Sequence, residues 1–244
     1  MELYPSMMLK SRWLNKLVRV LHGTYPSRWF RKFGVKDGPC LVRLGSDYGG
    51  WFAPTSIQQN WIIYSLGIGQ DTTFDWALIE QYGVTIHAFD PTPAAIEHVS
   101  DRRAKSPLIA AHFLFSPVGV WDSDCSIRFF EPKTRGWVGS YSALNLQGTS
   151  RHIDAPCKTL STLMRERNHD HVDLLKMDIE GAEYRVLGDL LTKRIPVHWL
   201  CVEFDQLVPT GTTRTMIKRL IDNGFALCHV DRWNFTFENR RYAS

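Results

Sequence analysis

From Trp61 onward, short apolar runs and amphipathic stretches alternate along the 244-residue chain, and few architectures accept that order. "WIIYSLGIG" reads as a strand, "DTTFDWALIEQYG" as a helix closed by Gly83, and "VTIHAFDP" as a second strand. "PAAIEHVSDRRAK" follows as a helix and "LIAAHFLFSPVGV" as a strand with its exit. The pattern resumes with "VDLLKMDIEG", "AEYRVLGDLLTKR", "VHWLCVEFD" and the helix "TRTMIKRLIDNG", closed by Gly224. Strands separated by helices predict a parallel sheet with right-handed crossovers. "FALCHV" and "NFTFEN" are joined by only a few residues around Asp231-Arg232-Trp233, so that final pair must be antiparallel.

Two regions depart from the alternation. Residues 1–38 form a basic N-terminal extension. Its apolar positions Leu9, Trp13, Leu14, Leu17, Val18 and Leu21 recur at helical spacing between lysines and arginines. Up to residue 36 it holds eight Lys or Arg against Glu2, a balance of +7, which leaves −3 of the total +4 for the body. Residues 9–21 are therefore placed as a helix against the body, a lid over the site, or a peripheral contact with an anionic membrane surface. Residues 39–244 read as one domain, opened by a hairpin, "CLVRLG" and "GGWFAP" around "SDYGG". An inserted segment at about 127–158 brings short strands and the loop "RGWVGSYSALNLQG".

A mildly acidic body offers no extended basic face for duplex nucleic acid, so no nucleic-acid partner is expected. Five isolated Cys without a C-x-x-C pair point to reduced thiols. With no apolar run long enough to span a bilayer and no signal-like leader, the expectation is a cytoplasmic protein without a transmembrane segment.

Chemistry concentrates at strand ends. Open parallel sheets take ligands beyond the carboxyl ends of their strands, where strand order reverses. The first strand ends in Gly67-Ile68-Gly69-Gln70-Asp71-Thr72, a turn that lets a ligand approach backbone N–H groups at a helix start. Asp90 closes the second strand, 21 positions after Gly69, where a carboxylate can accept both hydroxyls of a ribose; capping the next helix is the plainer role. Gly67, Gly69, Asp71, Thr72 and Asp90 are thus candidate cofactor contacts. NAD and S-adenosylmethionine both carry a ribose diol. The missing third glycine, the lack of a second nucleotide-binding half and the antiparallel last pair favour S-adenosylmethionine.

The stretch "CKTLSTLMRERNHDHVDLLKMDIEGAEYRVLGDLL", followed by "LCVEFD", resembles the FkbM-type methyltransferases. The likeness rests on Thr159, Leu160 and Leu163, then Lys176, Asp178, Glu180, Gly181 and Glu183, then Glu203. "SLGIGQDTTFDWALIEQYGVTIHAFDPTP" resembles the cofactor half of that family, so the similarity spans roughly residues 40–239. The resemblance implies a Rossmann-like α/β class I methyltransferase fold with a mostly parallel seven-stranded sheet, order 3-2-1-4-5-7-6. It also implies S-adenosylmethionine as cofactor and O-methylation of a sugar, glycoconjugate or small natural product. Ser65 stands where many class I methyltransferases carry an acid, with Asp71 and Asp178 as substitutes.

Period-two spacing would set Asp178 and Glu180 on one face, and Glu203 and Asp205 on another strand's face. A base must receive the acceptor proton, and Asp178 is the first candidate, Glu203 the second. Glu180 and His152 complete the catalytic candidates. If a cation such as Mg²⁺ is present, Asp178, Glu180, Glu203 and Asp205 are its expected ligands. Glu183, in a helix's first turn, is assigned to that helix. Ser116 and Val118 at the third strand's exit join the cofactor candidates, with Trp121 and Asp122 near the adenine. Ser140, Tyr141 and Ser142 are candidate substrate contacts. The open alternatives are a nicotinamide oxidoreductase and a non-catalytic cofactor-binding protein.

Overall fold

A computed structural model describes residues 40–132, 141–145, 148–205, 208 and 210–242. The basic extension, including the helix expected over residues 9–21, and Ser140 lie outside the described residues.

The chain opens with a hairpin, β1 (Leu41–Leu44) and β2 (Trp51–Pro54), paired antiparallel. The alternation then gives β3 (Ile62–Leu66), α1 (Thr73–Tyr82), β4 (Thr85–Phe89) and α2 (Pro93–Lys105). After α3 (Pro107–His112) come β5 (Phe113–Ser116), β6 (Gly119–Val120), β7 (Cys125–Phe130) and β8 (His152–Lys158). The second half runs α4 (Leu160–Glu166), β9 (Val172–Met177), α5 (Glu183–Lys193) and β10 (Val197–Glu203). It ends with α6 (Thr210–Asp222), β11 (Phe225–Asp231) and β12 (Asn234–Asn239).

Helix ends follow local chemistry. Gly83 closes α1 in the left-handed region at φ 65°. Thr92 caps α2 by accepting from the Ala95 N–H, with Pro93 supplying a preset first-turn φ. Ser106 and Pro107 repeat that device and start α3 where a strand was expected. The run "PLIAAHFLF" carries no decisive period, and the cap residues decide for one helical turn and a half before β5 begins at Phe113.

The main sheet is ordered β11-β12-β10-β9-β3-β4-β5. Numbered along the chain, its strands read 3-2-1-4-5-7-6 from the β5 edge, and β12 runs antiparallel to both β10 and β11. Both faces are covered. Tyr64, Leu66, Leu175, Met177, Leu200 and Val202 pack one core with residues of α4, α5 and α6. Ile63, Ile86, Leu174, Trp199 and Cys201 pack the other with the hairpin, α1, α2 and α3. Each fully buried Leu or Ile contributes about 1.5–3 kcal/mol, so the central strands tie the two layers together. The hairpin is fixed to the sheet where the Thr236 hydroxyl donates to the Phe52 carbonyl at 2.8 Å. The inserted segment forms a separate three-stranded sheet, β6-β8-β7, over a small core of Phe129, Ala155 and Cys157. Among the described residues no helix is long and apolar enough to cross a membrane.

Candidate active site

The carboxyl ends of β3, β4, β9 and β10 open into one cavity of about 670 Å³, roofed by the hairpin and the small sheet. Its size lies within the range of small-molecule sites.

One half is built on the glycine turn. Gly67 and Gly69 sit at φ 69° and 52°, a region that favours glycine. A Cβ on Gly67 would overlap the Asp178 carbonyl, whereas one on Gly69 would meet open space. The turn therefore packs tightly below and leaves a backbone cradle above. Asp90 holds it: one carboxylate oxygen accepts the N–H groups of Ile68 and Gly69, both at 3.0 Å. Its other oxygen accepts the Thr92 N–H at 2.8 Å and the Thr92 hydroxyl at 2.6 Å. A carboxylate offers about four acceptor sites, so protein donors already take those expected for a ribose diol. Burial nonetheless pushes the Asp90 carboxyl up, against the pull of Thr92, Gly69 and Lys176.

Asp71 also faces protein. It accepts the Ser46 hydroxyl at 2.6 Å and the Thr73 N–H at 3.0 Å, linking the hairpin turn to the start of α1. Burial raises its carboxyl, but hydrogen bonds from Ser46, Thr73 and Gly49 outweigh that and hold it below the ordinary value.

The other half is acidic. β9 ends at Met177, and Glu180 is left-handed at φ 53°. Strand alternation therefore stops before Asp178 and does not set these acids on one face, as their spacing had suggested. The turn does so instead: Asp178, Glu180, Glu203 and Asp205 all line the cavity. Glu203 hydrogen-bonds Asp178, and its carboxyl is pushed well above the ordinary value by burial, then by the charges of Asp178 and Asp205. Glu203 is consequently the carboxyl of the cluster with the strongest hold on a proton. Lys176 reaches in from β9, donating to the Gly67 carbonyl and standing 3.8 Å from Asp178. Among the described residues no three His, Cys, Asp or Glu are arranged to hold a metal ion, and the four acids stand as a charge cluster.

Tyr48 and Trp51 of the hairpin, Phe129 and Tyr141 complete the walls. Partial burial and the charges of Asp178, Glu203, Glu180 and Asp205 push the Tyr48 phenol up. None of Tyr48, Trp51 and Phe129 was expected here; the "SDYGG" turn was read only as a connection. Lys176 was noted as part of a motif and not as a site residue.

Gly67, Gly69, Asp71, Asp90, Asp178, Glu180, Glu203 and Asp205 are thus brought together. Thr72 is not: its hydroxyl is buried against His98 at 3.0 Å. Ser116 accepts from Arg167 at 2.8 Å, and Val118 packs against the core, while Gly119 and Val120 of β6 in the small sheet contribute to the wall instead. His152 is exposed at the start of β8, its ring nitrogen 2.8 Å from the Ser150 carbonyl, and does not reach the cavity. Trp121 and Asp122 pair with Arg185, away from the lining. Ser142 donates to the Glu180 carbonyl at 2.6 Å and so positions the acidic turn. Glu183, assigned to its helix from the sequence, instead reaches back into the preceding turn, accepting the N–H groups of Ile179 at 2.7 Å and Gly181 at 2.8 Å, and so holds the acidic turn in shape.

A 3-2-1-4-5-7-6 sheet with a reversed last strand and a glycine-turn cavity at its switch point defines a class I methyltransferase fold. A family model described as the methyltransferase FkbM domain matches residues 56–225. The chain belongs to the FkbM methyltransferase family. The probable methyltransferase-like protein 24 of Homo sapiens is 26% identical over 133 residues, 54% of this chain and 29% of that protein. The 31-O-demethyl-FK506 methyltransferase FkbM of Streptomyces tacrolimicus is 26% identical over 151 residues, 52% of this chain and 58% of its own. The chain thus spans less than two thirds of either relative. The crystal structure of an FkbM methyltransferase from Methylobacillus flagellatus is similar with a TM-score of 0.48 at 14% identity, covering 75% of this chain and 44% of that one. Family membership sets aside the nicotinamide oxidoreductase alternative.

Proposed function

We propose that this methyltransferase uses S-adenosylmethionine to methylate a hydroxyl oxygen on a sugar, glycoconjugate or small natural product. The observation that carries the reading is the Asp178–Glu203 pair, which shares a cavity with an open glycine turn. The turn fits the cofactor: Gly69 leaves room above its backbone, and the adjoining cavity wall includes Phe89, Pro91 and Thr92 at the end of β4. When bound, the cofactor supplies an electrophilic methyl group.

The remaining work falls to the chain. Gly67–Gln70 hold the donor in line with the acceptor. Asp178 receives the acceptor proton, and Glu203, hydrogen-bonded to it, keeps it oriented. Asp90 sets the shape of the turn; a ribose diol placed there has to displace one of its protein donors. Asp71 ties the turn to the hairpin. The four acids disfavour an anionic acceptor, in keeping with a neutral polyol.

The test is calorimetry with S-adenosylhomocysteine followed by labelled methyl transfer to a panel of sugars and natural products. Binding plus transfer to a hydroxyl supports the proposal. Binding without transfer to any member points to the non-catalytic alternative, and no binding rejects the cofactor.

A further inference from the structure

Beneath the glycine turn lies a buried polar group that the reaction above does not use. Ser65 and Lys176 face each other in register on neighbouring strands, on the sheet face covered by α1. Asp75, in the first turn of α1, is buried at 2% exposure among Leu78, Ile79 and Phe74 of the same helix. The Ser65 hydroxyl is near enough to Asp75 to lower its carboxyl, yet it and one Asp75 carboxylate oxygen make no hydrogen bond of normal geometry. Lys176 is also buried, with its ammonium on the Gly67 carbonyl and 5.7 Å from the Trp51 ring. A carboxylate and an ammonium enclosed in an apolar layer are costly to keep and are retained where they orient something.

We propose that Asp75 is a positioning residue for cofactor binding: its carboxylate opposes the Lys176 charge from below and keeps the ammonium on the Gly67 carbonyl, which fixes the glycine turn. Without that counter-charge the ammonium is drawn toward Asp178, 3.8 Å away, and both the turn and the base are disturbed. The inference rests on the reading that this turn holds S-adenosylmethionine. Two charged groups bear on Asp75, Lys176 from β9 and Asp71 from the turn. Burial pushes its carboxyl up to about 6, with Lys176 pulling the other way and Asp71 adding to the rise. Asp75 therefore loses its charge, and its hold on Lys176, as the pH falls through about 6.

The test is isothermal titration of the full chain with S-adenosylhomocysteine between pH 5 and 7.5, for the wild type and Asp75→Asn, with thermal unfolding alongside. The expected result is a wild-type affinity that weakens about tenfold as pH falls across that range. Asp75→Asn is expected to bind with the weaker affinity throughout and to show a flat profile. A raised native carboxyl contributes stability below its unfolded value, and that contribution is lost as pH rises through about 6. Asp75→Asn should therefore melt higher than wild type at pH 7.5 while binding more weakly, a split that a packing role does not produce. Unchanged affinity in the variant, or a wild-type affinity constant from pH 5 to 7.5, overturns the proposal; the second measurement needs no variant. Absence of binding by the wild type at every pH removes the cofactor reading and this proposal together.

Discussion

The two halves of the cavity handle acidic side chains in opposite ways. On the glycine-turn side, Asp71 and Asp90 spend their oxygens on backbone N–H groups and hydroxyls, and Asp71 is held below its ordinary value. On the far side, Asp178, Glu180, Glu203 and Asp205 face one another, and Glu203 is pushed well above its own. The same residue types act as structural acceptors in one half and as a store of unfavourable charge in the other. Hydrogen bonding makes the first half rigid; mutual repulsion leaves the second ready to take or share a proton.

Substitutions on either side should separate these roles. The largest effect is expected from Asp178→Asn, which should lower turnover by about 10²–10⁴-fold while leaving S-adenosylhomocysteine affinity within a few fold. Equal loss of both would merge the halves. Gly67→Ala should abolish cofactor binding and destabilise the fold by roughly 1–3 kcal/mol or more, because its Cβ overlaps the Asp178 carbonyl. Gly69→Ala, with open space above it, should cost only the strain of its φ, about 1–2 kcal/mol. Denaturant unfolding measures both. Ser46→Ala removes a bond to Asp71 and should cost about 1–3 kcal/mol and loosen the hairpin, read as increased hydrogen exchange over β1 and β2.

Glu203→Gln tests the acidic side by stability. A carboxyl raised in the folded state contributes stability below its unfolded value, and that contribution is lost as pH rises through the folded value. The variant should therefore gain on wild type in melting temperature as the pH is raised, and the two should converge as the pH falls below the ordinary carboxylate range. The smallest effect belongs to His152→Ala, which should stay within about 0.5 kcal/mol and keep wild-type turnover, since this side chain is exposed outside the cavity.

The fold was legible because its strands and helices carry strong signals: Gly83 and Gly224 close helices, and Leu174 to Met177 form a doubly covered strand. The first half-turns of α3 were not, because Leu108 to Phe115 is apolar without a period and Pro107 was not weighed as a first-turn residue. At the site, the glycine turn and the strand-end acids were visible from spacing. Thr72, Ser116, Val118 and His152 were misplaced because nearness to a strand end does not say which way a side chain turns. His98 and Arg167, which engage two of them, come from distant segments. Tyr48 and Trp51 reach the cavity only because the hairpin folds back over the sheet, a long-range packing event with no local mark. Asp75 looks like any acid in a first helical turn until Lys176 is seen beneath the same layer.

The central claim is that the glycine-turn half holds the donor and the carboxylate half receives the acceptor proton. A crystal structure with S-adenosylhomocysteine tests it most directly. The account predicts the adenosine over Gly67 to Gln70 and the sulfur facing Asp178 and Glu203. A ligand seated with its sulfur away from that pair, or with Asp178 turned out of the cavity, contradicts it.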